Sequence, residues 1–196
     1  MGDYHVVFGV VAITVGFISF VPYFRDIFNG TTKPHVFTWL IWGVLVGVAF
    51  FVQIAEGGGI GAWATGVEAL FCFAVAGLAL SRGEKNITTM DWASLIGALL
   101  AIILWRVAGS PLAALLFVIA ADTLGFVPTF RKGYGKPQEE TVSQFALSAL
   151  RWALSIFALQ SFTLTTWLYP TFLVLLDSSL VAMLLLRRRK LGRVSP

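Results

Sequence analysis

The chain has 196 residues, of which 58% are hydrophobic and only 12% are charged, and its mean hydropathy is +0.84. A soluble domain needs a larger polar fraction to cover its core, so these values predict a polytopic integral membrane protein. The single cysteine, Cys72, excludes a disulfide framework and a cysteine metal cluster, and two distant histidines, His5 and His35, do not suggest a zinc site. We therefore predict no metal and no cofactor.

Seven apolar stretches have about the length of a helix that crosses a hydrocarbon core, roughly 17–25 residues. They cover residues 6–24, 35–54, 62–80, 92–107, 111–127, 142–159 and 167–186, and the fourth is the shortest. The connections between them are short and polar or glycine-rich, which leaves no room for a separate soluble domain. The prediction is an all-α integral membrane protein with seven transmembrane helices in a single membrane domain, 1–196.

Basic residues lie on alternate connections between these segments. Twelve of the fourteen Lys and Arg residues follow the first, third, fifth and seventh segments, and the connections after the second, fourth and sixth carry none. Because cytoplasmic loops of membrane proteins carry the excess of Lys and Arg, this pattern predicts an outside N-terminus and a cytoplasmic C-terminus in the cell (inner) membrane. The net charge of +4 then reflects topology and attraction to the anionic lipid bilayer, and we do not expect nucleic-acid binding.

A six-residue pattern occurs twice, as FVPYFR at residues 20–25 and as FVPTFR at residues 126–131, and a Lys-Pro pair follows each copy. Both copies close an odd-numbered segment on the predicted cytoplasmic side, so the duplicated units share one orientation. Parallel repeats of three helices need one inverting helix between them. We therefore expect a 3+1+3 arrangement, with triple-helix repeats over 4–81 and 111–190 and a linker helix over 92–107.

The stretch PYFRDIFNGTTK at residues 22–33 resembles the PQ-loop and SWEET-like transporter superfamily, in which a proline near a helix end precedes a short basic turn. The resemblance covers nearly the whole length and implies two parallel triple-helix bundles joined by a linker helix. The chain departs from the family at the glutamine that follows the proline, which is Tyr23 in one copy and Thr129 in the other. The Pro137-Gln138 dipeptide is not a substitute, because it starts a helix instead of ending one.

Pro22 and Pro128 are candidate hinges. Each proline removes a backbone hydrogen bond and frees a carbonyl in the preceding turn, which favours a kink near the end of its helix. The alternative is that each proline merely stops its helix at the membrane interface. Because the two prolines have matching positions in the two copies, we weigh the hinge interpretation equally with the interpretation that each proline ends its helix.

Small residues at helical spacing predict close helix packing, as in the pair Gly43 and Gly47. Such a pair also permits association between copies of the chain. In a protein with six other helices we favour an internal contact, with a homo-oligomer as the alternative.

Charged residues inside apolar segments are the candidates for chemistry, because an ionised side chain in hydrocarbon needs a partner or a water-filled cavity. Five residues qualify, namely Glu68, Arg106, Asp122, Arg151 and Asp177. Arg106 lies near a segment end and is expected to extend toward the headgroups. Arg151 lies in mid-segment beside Trp152, so it needs an acidic partner or an anionic substrate group.

The three acids have comparable places in the two predicted repeats. Glu68 and Asp177 lie on the third helix of each repeat, where both are expected to line a substrate pathway. Asp122 lies on the first helix of the second repeat, and its counterpart in the first is Gly16. Lysosomal PQ-loop exporters resemble this chain in having an aspartate on that helix, which implies a protonatable role for Asp122. A buried salt bridge from Arg151 to one acid is the structural alternative.

These features together predict a small-molecule secondary transporter or facilitator, proton-coupled through Asp122, that works by alternating access between two triple-helix bundles. Three acids favour a cation, an amine or a proton-coupled solute over a sugar. The alternative is a non-transporting membrane receptor or scaffold of the same fold, which the KDEL-receptor branch resembles. We do not expect an enzyme, because the sequence has no paired-histidine, Ser-His or clustered-aspartate arrangement.

Overall fold

The computed structural model describes residues 4–55, 59–159 and 163–192 and contains seven α-helices in that part of the chain. They are α1 (Tyr4–Phe28), α2 (Val36–Ala55), α3 (Gly59–Arg82), α4 (Thr89–Arg106), α5 (Pro111–Gly135), α6 (Val142–Phe157) and α7 (Leu164–Gly192), with a short 3-10 helix at Pro137–Glu139 before α6. Each of the seven predicted apolar segments corresponds to one helix. The all-α prediction is confirmed for the described residues, which contain no strand.

The two helices that contain the candidate hinge prolines continue beyond them. α1 includes Pro22 and ends at Phe28, and α5 includes Pro128 and ends at Gly135. The alternative in which each proline stops its helix is therefore wrong. A proline in a helix costs a hydrogen bond in the preceding turn but leaves the following turns able to form.

The helices pack as two compact units, which we describe separately. Unit 1 consists of residues 1–32 and 133–196, so it contains α1, α6 and α7. α6 packs against both α1 and α7. The buried residues of α1 recur every three or four positions, as expected for one helix face, and are Ala12, Gly16, Ser19, Phe20, Tyr23 and Ile27.

Unit 2 consists of residues 33–132 and contains α2, α3, α4 and most of α5. Its most extensive helix contact joins α2 and α3. An added Cβ at Gly43 would lie 2.8 Å from the Phe73 ring, so Gly43 permits the close approach of these two helices. Gly43 thus has the internal contact that we favoured. A buried cluster from α2, α4 and α5 forms a core of Phe37, Ile41, Leu95, Ala98, Ala101 and Ala121.

The units group the helices differently from the predicted repeats. Unit 1 combines the first helix of the repeat at 4–81 with the second and third helices of the repeat at 111–190. Unit 2 combines the second and third helices of the earlier repeat with the linker helix and the first helix of the later one. Each unit therefore contains helices from both predicted copies. The duplication itself stays a prediction.

The surface of several helices is apolar. On α1 the exposed residues include Val6, Val10, Ile13 and Val21, whereas the acids Asp122 and Asp177 are only 4% and 2% exposed. Two helical stretches, Tyr4–Phe28 and Thr166–Leu191, are long and apolar enough to cross a membrane.

Candidate functional site

Arg151 and Trp152 lie on α6 in unit 1, and both side chains are half-buried. The Arg151 guanidinium carbon lies 4.4 Å from the centroid of the Trp152 ring. Tyr169 on α7 packs edge-on against Trp152, with ring centroids 5.6 Å apart. The three side chains thus form one contact group of a guanidinium and two aromatic rings on α6 and α7.

Gly16 gives the Arg151 side chain its place in unit 1. A Cβ added at Gly16 would lie 2.7 Å from Cδ and 3.3 Å from Nη1 of Arg151. The Ser19 hydroxyl, one turn further along α1, donates to the Gly16 carbonyl at 2.6 Å. The glycine that stands where the other repeat has Asp122 therefore has a packing role: it makes room for a cationic side chain from α6.

The predicted pathway residues are divided between the units. Asp177 lies on α7 in unit 1, the unit that also holds Arg151 and Trp152, and it is buried. Glu68 on α3 and Asp122 on α5 lie in unit 2, the first half-buried and the second buried. The side chain of Arg106 lies outside the described residues. Roles in a pathway remain predictions for all of these residues.

The residue that follows each candidate hinge proline makes a buried polar contact. The Tyr23 hydroxyl donates to Oε2 of Glu140 at 3.4 Å, and its ring packs edge-on against Phe145 of α6. The Thr129 hydroxyl donates to Oγ1 of Thr38 at 2.9 Å. Tyr23 and Thr129, which follow the two prolines, thus each bond to a residue shortly after a Lys-Pro pair.

The carbonyl groups of those Lys-Pro pairs are held in parallel ways. In unit 2 the Pro34 carbonyl accepts from the Glu84 backbone N–H at 3.0 Å, directly after α3. In unit 1 the Pro137 carbonyl accepts from Nε of Arg188 on α7 at 2.9 Å. Both proline carbonyls are thus held, one by a backbone N–H and the other by an arginine side chain.

A buried charged cluster that the sequence analysis did not find lies in unit 2. Arg131, the last residue of the second repeat pattern, donates from Nε to Oδ1 and from Nη2 to Oδ2 of Asp91 at 2.9 and 2.7 Å. Asp91 and His35 are fully buried, with Nε2 of His35 3.4 Å from Oδ2 of Asp91. The Lys132 ammonium donates to the carbonyl of Lys33. This cluster joins the loop before α2, the start of α4 and α5.

The equivalent arginine of the first repeat has a different environment. Arg25 pairs with its neighbour Asp26 at 2.8 Å, but its side chain is 67% exposed, compared with 24% for Arg131. An exposed pair between neighbours contributes little to stability, whereas a buried pair that loses one partner leaves an uncompensated charge. The arginines at the same position of the two FVPxFR patterns therefore have different environments.

Unit 1 also contains an open pocket of about 600 Å³, lined mostly by residues of polar type, that the sequence did not indicate. Thr141 donates to Oδ2 of Asp26 at 2.9 Å, so the 2.6 Å contact between the Thr32 and Thr141 hydroxyls uses the Thr32 proton. Arg188 donates to the Glu140 carbonyl at 2.5 Å. The pocket therefore presents hydroxyl and carboxylate oxygens on hydrogen-bonded walls.

The missed residues share one cause. Asp26, His35, Asp91 and Arg131 lie at or beyond the ends of apolar segments, whereas only charges inside those segments were taken as candidates for chemistry. Only the twofold occurrence of the FVPxFR pattern marked Arg131 as more than a loop cation. Nothing in the sequence links it to Asp91.

No protein family, curated protein or solved structure matches this chain. The resemblance to the PQ-loop and SWEET-like superfamily therefore rests on the residues of the chain alone.

Gly16→Ala is expected to lower the free energy of unfolding by about 1–3 kcal/mol, because the new methyl group displaces the Arg151 side chain. Chemical denaturation of the purified protein in detergent measures this loss. Gly9→Ala is the matched control on α1, since its added Cβ would lie 3.8 Å from Cβ of Ala158, an ordinary contact. The loss should shrink in an Arg151→Ala background, and equal losses for both glycine variants would contradict the assigned packing role.

Arg131→Ala is expected to destabilise the protein by about 3–5 kcal/mol, because it leaves the carboxylate of Asp91 buried without its cation. Arg25→Ala, at the equivalent position of the first repeat, should cost about 0–1 kcal/mol. The same denaturation experiment compares them. Similar losses for the two variants would show that the arginines have not diverged.

Proposed function

We propose that this chain is a polytopic membrane protein with seven crossings, an outside N-terminus and a cytoplasmic C-terminus in the cell (inner) membrane. The observation that carries the proposal is the burial of Asp122 and Asp177 within helices whose outer faces are apolar. Two helical stretches long enough to cross a membrane and the alternation of basic connections support it. In this proposal α2 to α6 complete the crossings that their apolar sequences predict.

The function that we propose is a small-molecule secondary transporter or facilitator that works by alternating access between two triple-helix bundles in a 3+1+3 plan, with α4 as the linker. Acids inside apolar helices are costly, and transport of a cation or a proton gives them a use. Asp122 is the protonatable residue, and Glu68 and Asp177 line the pathway. Arg151 and Trp152 hold an anionic or aromatic part of the solute.

The proline positions support the alternating-access mechanism. α1 and α5 continue beyond Pro22 and Pro128, so each has a residue inside the helix at which a backbone hydrogen bond is missing and at which a hinge could act. The polar contacts of Tyr23 and Thr129 hold the turns beyond these points in one arrangement. Breaking and remaking such contacts would let the helix ends move without unfolding.

A non-transporting receptor or scaffold of the same fold is the second candidate. The open polar pocket of unit 1 favours it, because its walls contain none of the residues assigned to the pathway. A receptor would bind its ligand there and move nothing across the bilayer.

Flux into proteoliposomes under an imposed proton gradient tests the transport proposal. Screening of amines, amino acids, sugars and vitamins should identify a solute whose uptake depends on pH, and Asp122→Asn should abolish that pH dependence while expression stays normal. Glu139→Gln, outside the seven α-helices, is the control and should keep it. Unchanged pH dependence in Asp122→Asn would remove Asp122 from the mechanism. Ligand binding without any flux would favour the receptor.

Pro22→Ala and Pro128→Ala are expected to slow solute exchange several-fold without changing ligand affinity, because alanine restores the missing backbone hydrogen bond and stiffens the helix. Counterflow rates and equilibrium binding separate the two quantities. Exchange at the wild-type rate in both variants would mean that neither proline acts as a hinge.

A further inference from the structure

The buried cluster of unit 2 contains a histidine that lacks a well-formed hydrogen bond. His35 lies just before α2 and is fully buried; its Nε2 faces Oδ2 of Asp91 at 3.4 Å without good hydrogen-bond geometry, and its Nδ1 has no hydrogen bond within the described part of the chain. A neutral imidazole always carries one N–H donor, and leaving such a donor buried without an acceptor costs free energy. A cost of this kind in a folded protein calls for an explanation.

The nearest acceptor for His35 is already saturated. Oδ2 of Asp91 accepts from the Thr88 backbone N–H at 2.7 Å, from the Thr88 hydroxyl at 2.9 Å and from Nη2 of Arg131 at 2.7 Å. A carboxylate offers about four acceptor positions over its two oxygens, and Nε of Arg131 takes one on Oδ1. His35 therefore gains Asp91 as a partner only if Arg131 or Thr88 gives way.

We propose that His35, Asp91 and Arg131 form an acid-sensitive clasp, in which protonation of His35 draws the carboxylate of Asp91 away from Arg131 and releases α5 at that residue. In the closed form Arg131 ties α5 to the start of α4 through Asp91 and to the α3–α4 loop through the Asn86 carbonyl. In the open form the imidazolium takes the place of the guanidinium beside Asp91. The proton enters His35 from solvent during a transient opening, since the closed ring is inaccessible.

The charges around His35 decide the direction of this response. Asp91 faces it from α4, Arg131 and Lys132 from α5, and the buried Glu84 lies in the loop after α3, while Lys33 precedes it on its own segment. With a neutral His35, the charges that act on the ring are one carboxylate, Asp91, and the two cations of α5, Arg131 and Lys132. A proton on His35 adds a third cation to a buried space, and exchange with Arg131 relieves that repulsion.

The pKa of His35 agrees with this direction. Burial lowers it below the usual 6.5, and the attraction of Asp91 offsets this only in part. A folded state that disfavours the protonated histidine binds fewer protons than the open state, so the clasp is fully stable above about pH 6.5 and weakens as the pH falls below that value.

Hydrogen exchange of the full-length protein in detergent micelles tests the clasp without any solute or flux, so its outcome is independent of the transport proposal. Amides of residues 126–132 should lose about tenfold in protection between about pH 7.5 and about pH 5.5, after correction for intrinsic exchange, because one pH unit below 6.5 shifts a one-proton equilibrium up to tenfold. His35→Gln should remove this loss. Asp91→Asn should give low protection at both pH values.

The chain offers a matched control, because its second histidine, His5, lies on α1. His5→Gln should keep the full response of the wild type. A wild type without the loss, or a His35→Gln variant that retains it, would overturn the proposal. If His35→Gln fails to fold, the His5→Gln protein provides the test, because His35 is then its only histidine. The NMR titration of His35 should have a midpoint below pH 6.5 that coincides with the change in hydrogen exchange. A midpoint that differs from the change in exchange would also overturn the clasp.

Discussion

In both units a helix interrupted by proline continues for one to two further turns, and side chains in those turns are hydrogen-bonded to other segments of the same unit. Proline removes one backbone hydrogen bond, so the turns beyond it are held to the rest of their helix less firmly than an ordinary terminus. Tyr23 and Thr129 supply the missing restraint from the position directly after each proline. The position of each helix end therefore depends on a polar side-chain contact in addition to apolar packing such as that of the buried Ile27.

The two copies of the FVPxFR pattern keep this arrangement but fill it with different chemistry. The first uses a phenol on a carboxylate, and its arginine points to solvent. The second uses two threonine hydroxyls, and its arginine is committed to a fully buried aspartate. Matched geometry with unmatched side chains is the result expected when duplicated helices keep their packing and acquire separate roles. Gly16 and Asp122, at corresponding positions of the two predicted repeats, differ in the same way: Gly16 makes room for Arg151, whereas Asp122 is a buried acid.

The sequence allowed all seven described α-helices to be predicted, because each contains an apolar run of about the length at which helical hydrogen bonding satisfies the whole backbone of the segment. Helix ends were predicted less well. α1 and α5 continue past residues such as Arg25 and Lys132, where hydropathy falls but backbone hydrogen bonds continue. The grouping of helices was not predictable, since repeats imply neighbours in sequence and contacts follow complementary surfaces. His35 and Asp91 escaped detection because each is unremarkable alone, and only the fold places them together.

The membership of the units has a consequence for biosynthesis. Unit 2 is a continuous stretch from Lys33 to Lys132, so all its helices are made one after another. Unit 1 needs α1, which is synthesised first, and α6 and α7, which are synthesised last. During translation α1 must therefore wait, with Ser19 and Tyr23 still lacking the neighbours that bury them, until more than a hundred further residues have emerged. The rate at which the nascent chain completes, rather than the strength of any one contact, sets how long that exposed face is open to quality control.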